Sequence, residues 1–94
     1  MLNKVKLALR ITTNAFDSEI SDLILAAFSD LKIAGVVPGD VEDSDPIVQK
    51  AVITYCKMNF GIPEDYDRLK RSYDEQKAQL SNATGYTQWK RRHA

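Results

Sequence analysis

The sequence predicts an all-α protein, a small bundle of about four helices followed by an irregular C-terminal tail. Three observations predict it. Apolar residues recur every three or four positions through four separate segments, the spacing that gathers them on one side of a helix. Helix-stopping and helix-starting residues fall between those segments: Thr12-Thr13-Asn14, Gly35, Pro38-Gly39, Asp45-Pro46, and Gly61 with Pro63. The period then ceases after Leu80, where "SNATGYTQWKRRHA" holds a glycine, two threonines and the only tryptophan. A chain of 94 residues makes one domain with one modest core. The expected organisation is a helical domain over 1–80 and a tail over 81–94.

The first segment, Leu2 to Arg10, sets Leu2, Val5 and Leu9 along one side with Ala8 beside them. A helix this short is marginal alone and needs tertiary contacts to persist. Asn14 is the expected N-cap of the second helix, with Asp17 where the helix dipole favours an acid. That helix carries Phe16, Ile20, Leu23, Ile24, Ala27, Phe28, Leu31 and Ala34 on one face. Asp17, Glu19, Ser21, Asp22, Ser29, Asp30 and Lys32 are expected on the solvated side, and Gly35 is expected to end the helix in a left-handed conformation.

"VVPGDVEDSD" reads as the main loop, turning at Pro38-Gly39. Its Asp40, Glu42 and Asp43 invite a thought of calcium, but the twelve-residue ligand pattern with its closing glutamate is missing. Asp45 as N-cap and Pro46 at the first helical position open the third helix. It runs to about Phe60 and is apolar over most of its circumference, with Lys50, Thr54 and Lys57 as a narrow polar strip. Such a helix is either central to the bundle or also meets a neighbouring subunit. Cys56 lies on its apolar surface and reads as a small core residue.

The fourth helix opens at Pro63 with Glu64, Asp65 and Asp67 in its first turn. Glu64–Arg68 and Asp67–Arg71 are expected as i,i+4 pairs. Its apolar line is thin: Ile62, Tyr66, Leu69, Tyr73, Gln76 and Leu80, with the tyrosine hydroxyls expected to reach water.

Composition and residue counts then exclude several functions. Hydrophobic residues at 44% and charged residues at 28% are ordinary for a globular protein and unlike a disordered one. No apolar run approaches the roughly 20 residues that span a bilayer. The N-terminus is too short and too interrupted by lysine for a secretion signal, which makes the cytosol the simplest compartment. One cysteine and one histidine leave no disulfide framework, no Cys/His metal cluster and no nucleophile–base pair. No glycine-rich phosphate loop is present. The sequence thus leads to no enzyme, no cofactor and no metal.

Charge is distributed unevenly around a net of zero. Residues 1–13 carry +3, 14–45 carry −7, 46–63 carry +2, 64–80 carry −1 and 81–94 carry +3. An acidic centre with basic ends suits copies that meet head to side, because complementary fields orient an encounter. The acids Asp17, Glu19 and Asp22 and the bases Lys4, Lys6 and Arg10 are accordingly the candidate subunit-interface residues. The tail's "WKRRH" combines an aromatic ring with cations, so Lys90, Arg91 and Arg92 are candidate contacts to DNA or a partner. Zero net charge argues against a dedicated nucleic-acid binder. Tyr86 and Trp89 either fold back over the bundle or anchor the chain in a pocket on another protein.

Taken in order, these pieces resemble a known family. The Leu9-Arg10-Ile11-Thr12 turn with Asp17, Glu19 and Ile20 comes first, then Asp45-Pro46, then "AVITY…NFG" in the third helix. Pro63-Glu64-Asp65 and the Thr84-Gly85-Tyr86-Thr87 tail complete the pattern, which spans residues 5 to 89. Their order and spacing resemble the small head–tail connector, or head-completion adaptor, proteins of tailed bacteriophages. The resemblance implies a non-enzymatic helical subunit that forms a ring beneath the portal of a phage or prophage, extends the DNA channel and joins head to tail. It implies as partners further copies of the chain, the portal protein, a downstream head-completion or tail protein, and the packaged DNA passing through the channel, with no membrane. The implied location is the head–tail junction of the virion, after synthesis in the bacterial host cytoplasm. It further implies that Thr84, Gly85, Tyr86, Thr87 and Trp89 form a strap docking on the portal. The ending Lys90-Arg91-Arg92 departs from the family pattern, whose chain stops near the tryptophan. The rival reading is a small DNA-packaging accessory that binds DNA through basic termini, and steep salt dependence of binding would mark it.

Overall fold

A computed structural model describes residues 1–36 and 45–82 of the chain. The Pro38-Gly39 turn with Asp40, Glu42 and Asp43, and the whole of residues 83–94, lie outside the described residues. Four α-helices make up the described fold: α1 (Leu2–Leu9), α2 (Asp17–Ile33), α3 (Pro46–Asn59) and α4 (Tyr66–Asn82).

Helix ends follow the local chemistry closely in two places. Asp45 Oδ1 accepts from the Ile47 backbone N–H at 2.9 Å and Pro46 occupies the first turn, so α3 starts as its sequence requires. α2 ends in a Schellman motif. Val36 N–H donates to Leu31 O at 2.9 Å and Gly35 N–H to Lys32 O at 3.0 Å, with Gly35 at φ 91°. The accompanying apolar contact is present, since Leu31 and Val36 are both buried.

α1 ends by the same arrangement without a glycine. Arg10 N–H donates to Leu7 O and Ile11 N–H to Lys6 O, with Arg10 itself at φ 60°. A left-handed backbone at a residue carrying Cβ costs about 1–2 kcal/mol, so the surrounding turn holds Arg10 there against strain.

Two helix starts differ from the sequence expectation. Asn14 does not cap α2; its side-chain oxygen accepts from Lys6 Nζ at 2.8 Å, and Phe16 occupies the cap position without a side-chain bond. The preceding turn is shaped instead by Thr13, whose hydroxyl oxygen accepts from Ala15 N–H at 3.2 Å. α4 begins at Tyr66 rather than Pro63. Its first helical bond runs from Leu69 N–H to Asp65 O, and Gly61 at φ 70° turns the chain beforehand.

Long-range contacts fix an up-down-up-down order. Lys4 Nζ reaches Gln49 Oε1 at 2.7 Å, so the starts of α1 and α3 share one end. The Phe16 and Phe60 rings meet edge to face at 5.5 Å, which sets the start of α2 beside the end of α3. Ser81 Oγ donates to Ala34 O at 3.2 Å, which brings the ends of α2 and α4 together.

α3 packs against α1, α2 and α4, as the reading of a central helix expects. Val48, Ala51, Val52 and Cys56 are fully buried against Val5, Ile20, Ile24, Ala27 and Leu31. Each valine, isoleucine and leucine among them contributes roughly 1.5–3 kcal/mol on leaving water. Thr54, expected on the polar strip, is itself buried, and its hydroxyl is satisfied by donating to Lys50 O at 3.0 Å.

α4 shows the largest departure. Leu69, Tyr73 and Leu80 are buried as the seam predicts, but the Tyr73 hydroxyl bonds Asp30 instead of reaching water, and Ile62 is 98% exposed because it sits in the turn before the helix. Arg68 pairs with Asp65 and Lys70 with Asp74 at 3.0 Å, rather than the two i,i+4 pairs the sequence suggested.

Candidate interaction surface

The six residues named for a subunit interface divide into two groups in the structure. Lys6 Nζ lies 2.9 Å from Asp17 Oδ1 and 2.8 Å from Asn14 Oδ1, with the lysine largely covered. This acid and this base neutralise one another within the chain and join the end of α1 to the start of α2. The other four remain at the surface. Lys4 and Arg10 are exposed on α1 and its cap, Glu19 and Asp22 are exposed on α2. Lys4 holds a neutral amide, so its charge is not cancelled.

Sequence reasoning missed what lies beside these charges. Leu7 is 80% exposed, Leu25 58% and Ile33 86%. Leu25 and Ile33 interrupt the polar side of α2 at i and i+8. The signal was present in the spacing, since neither belongs to the buried set Ile20, Ile24, Ala27, Phe28 and Leu31.

A shallow hollow of about 340 Å³ opens where the ends of α1 and α3 meet the start of α4. Leu9, Phe60, Pro63 and Leu69 floor it, and Lys57, Asp65 and Arg68 edge it. The Arg68 guanidinium hydrogen-bonded to Asp65 holds that carboxyl below the usual carboxylate range.

Polar chemistry inside the bundle is structural. Tyr73 Oη donates to Asp30 Oδ2 at 2.5 Å, and Lys77 Nζ reaches the same oxygen at 3.2 Å while lying 5.2 Å from the Tyr73 ring. Asp30, expected on the solvated face of α2, is thus the point where α4 is fastened. Tyr55 meets Tyr73 edge to face at 5.4 Å. Burial first, and the Asp30 hydrogen bond second, push the Tyr73 phenol well above its ordinary value. Burial alone pushes the Cys56 thiol up to about 12, so it stays protonated and unreactive in the folded chain. Among the described residues no group of three His, Cys, Asp or Glu is arranged to hold a metal ion, and no helix is long and apolar enough to cross a membrane.

The proposed docking residues Thr84, Gly85, Tyr86, Thr87 and Trp89, and the basic residues Lys90, Arg91 and Arg92, lie outside the described residues. Comparison with known families bears on them in part. The family model described as "Phage connector protein" matches residues 1–87, which includes Tyr86 and stops short of Trp89. Searches of curated proteins and of solved structures give no match. A match over nearly the whole chain, on four helices in the order that the connector-like motifs require, establishes the kinship: the chain belongs to the phage connector protein family.

Proposed function

We propose that the protein is a structural subunit of the phage head–tail junction, assembling as a ring beneath the portal. There it extends the DNA channel and presents a surface to the next head-completion or tail protein. The observation that carries this reading is the connector-family match over residues 1–87 on an all-helical chain. The tail is the portal strap in this reading, with Tyr86 and Trp89 as aromatic anchors of the kind that dominate interface energetics. Lys90, Arg91 and Arg92 follow the anchors and meet portal carboxylates or channel DNA.

Co-sedimentation with the matching portal ring tests the reading, using the full chain beside one ending at Asn82. The shortened chain keeps Leu80 in the core and Ser81 on Ala34, and unchanged helical circular dichroism verifies that it folds. Binding by the full chain alone supports a connector with a C-terminal strap. Binding by neither overturns it. Salt-sensitive binding to DNA in place of the portal would favour the packaging-accessory alternative.

A further inference from the structure

α1, α2 and α3 each pack on the other two, so they stand at the corners of a triangle and their outer faces diverge. The outer face of α1 carries Asn3 and Leu7 at i and i+4 with Lys4 alongside, and Arg10 stands exposed at the left-handed residue just past its C-terminal end. All four are exposed, and their charge is +2. The outer face of α2 runs through Ser18, Asp22, Leu25, Ala26, Ser29 and Ile33, with Glu19 on its edge, and every one of these is exposed. Its acids Glu19 and Asp22 give −2 over the first half of the helix, and Lys32 on the opposite edge near the far end leaves the whole face at −1. Among the described residues no ion pair engages Arg10, Glu19 or Asp22. Each face also carries uncovered aliphatic surface, Leu7 on one and Leu25 with Ile33 on the other.

We infer that the outer face of α1 on one copy docks on the outer face of α2 on the next, Lys4 and Arg10 meeting Glu19 and Asp22 around an apolar centre of Leu7, Leu25 and Ile33. This rests on the connector reading above and names the surfaces by which its subunits join. The contact is heterologous: each copy uses two different faces, pointing in different directions. A second copy can therefore always accept a third, and the chain of contacts closes as a ring when its rotation permits. The same two faces within one molecule cannot meet, because they point away from the triangle they frame. Small residues Ala26 and Ser29 between Leu25 and Ile33 let a neighbouring helix approach closely.

Charge reversal with cross-mixing tests the pairing, by native mass spectrometry and sedimentation velocity over a concentration series, alone and on the portal ring. Lys4→Glu/Arg10→Glu and Glu19→Lys/Asp22→Lys are all exposed substitutions, and unchanged helical circular dichroism verifies that each variant folds. Each variant alone is expected to need roughly tenfold or more protein for half-assembly, because both of its faces then carry one sign. An equimolar mixture is expected to recover assembly to within about threefold of the unaltered chain, since every α1 face again finds an opposite α2 face. Leu25→Asp is expected to weaken assembly without being rescued by either partner. Unchanged assembly by both variants, or loss that mixing does not repair, overturns the pairing. If the variants assemble normally and still bind the portal, only the surface assignment fails. If the unaltered chain neither assembles nor binds the portal, the connector reading falls with it.

Discussion

Tyr73 Oη and Asp30 Oδ2 stand 2.5 Å apart across 43 positions of sequence, and through that bond α4 is fastened to α2. Lys77 supports the same carboxylate at 3.2 Å. Hydrogen bonds to charged groups contribute about 1.5–3 kcal/mol. Tyr73→Phe keeps the ring against Tyr55 and leaves Asp30 its lysine, so a loss near the lower value, about 1.5 kcal/mol, is expected in urea unfolding. No change in the unfolding midpoint would mean that the bond only replaces one to water.

Alkaline titration should expose the interior. Burial raises Cys56 from 9.0 to about 12, and Tyr73 is raised from 10.0. A raised folded-state value means that the unfolded chain loses its proton first. The protonated group therefore contributes fully below the unfolded value and loses its contribution as pH climbs towards the folded one. Stability should fall above pH 9, by at most about 1.4 kcal/mol per pH unit for each group titrating. Cys56→Ala should flatten the slope between pH 9 and 10 while lowering stability at neutral pH, and guanidinium unfolding at several pH values reads both.

α4 separates what the sequence could announce from what it could not. Leu69, Tyr73 and Leu80 were legible as a seam because a helix repeats every 3.6 residues, and the structure buries all three. Spacing alone places Ile62 on the same seam. Gly61 turns the chain and the helix starts only at Tyr66, so Ile62 lies outside the periodic segment. The α3 start at Asp45-Pro46 and the α2 stop at Gly35 were legible because cap chemistry is local. Asn14 does not serve as the cap because Lys6, eight residues away, competes for its side chain. Asp30 and Thr54 show the same limit: a polar residue on a helix is solvated or buried according to which helix arrives beside it. For the surface, charge sign was visible along the chain, but only tertiary packing reveals that Lys6 and Asp17 consume one another and that Leu7, Leu25 and Ile33 stay uncovered.

The contrast between Ile62 and Leu69 is measurable. Ile62→Ser should leave the unfolding free energy within about 0.5 kcal/mol, as for a surface substitution. Leu69→Ala removes a buried side chain and should cost about 2–4 kcal/mol. Thermal unfolding of the two variants side by side decides it; a large loss on altering Ile62 would return that residue to the core.

The two tail aromatics should be separable at the portal. Truncating an anchoring aromatic typically costs 2 kcal/mol or more, roughly a 30-fold loss of affinity. Trp89→Ala is expected to show that loss in portal-binding titrations, with helical content unchanged. The family match includes Tyr86 and ends before Trp89, so Tyr86→Ala tests whether the matched span or the residues after it hold the strap. Undiminished binding by the tryptophan variant would remove Trp89 as an anchor.

Arg10 joins backbone strain to surface charge, and one substitution pulls them apart. At φ 60° it occupies the left-handed position where a helix end prefers glycine. Arg10→Gly relieves roughly 1–2 kcal/mol of strain and returns part of that by loosening the unfolded chain, for a net gain of about 0.5–1 kcal/mol. Its side chain makes no ion pair among the described residues, so no ion pair is lost with it. The same change removes one of the two charges on the outer face of α1. The variant should therefore melt higher and self-assemble more weakly than the unaltered chain. A purely structural arginine predicts something else: lower stability, with assembly following it down. Melting temperature and half-assembly concentration, measured on one preparation, distinguish the two, and a rise in both establishes that the strain is kept for the surface charge it positions.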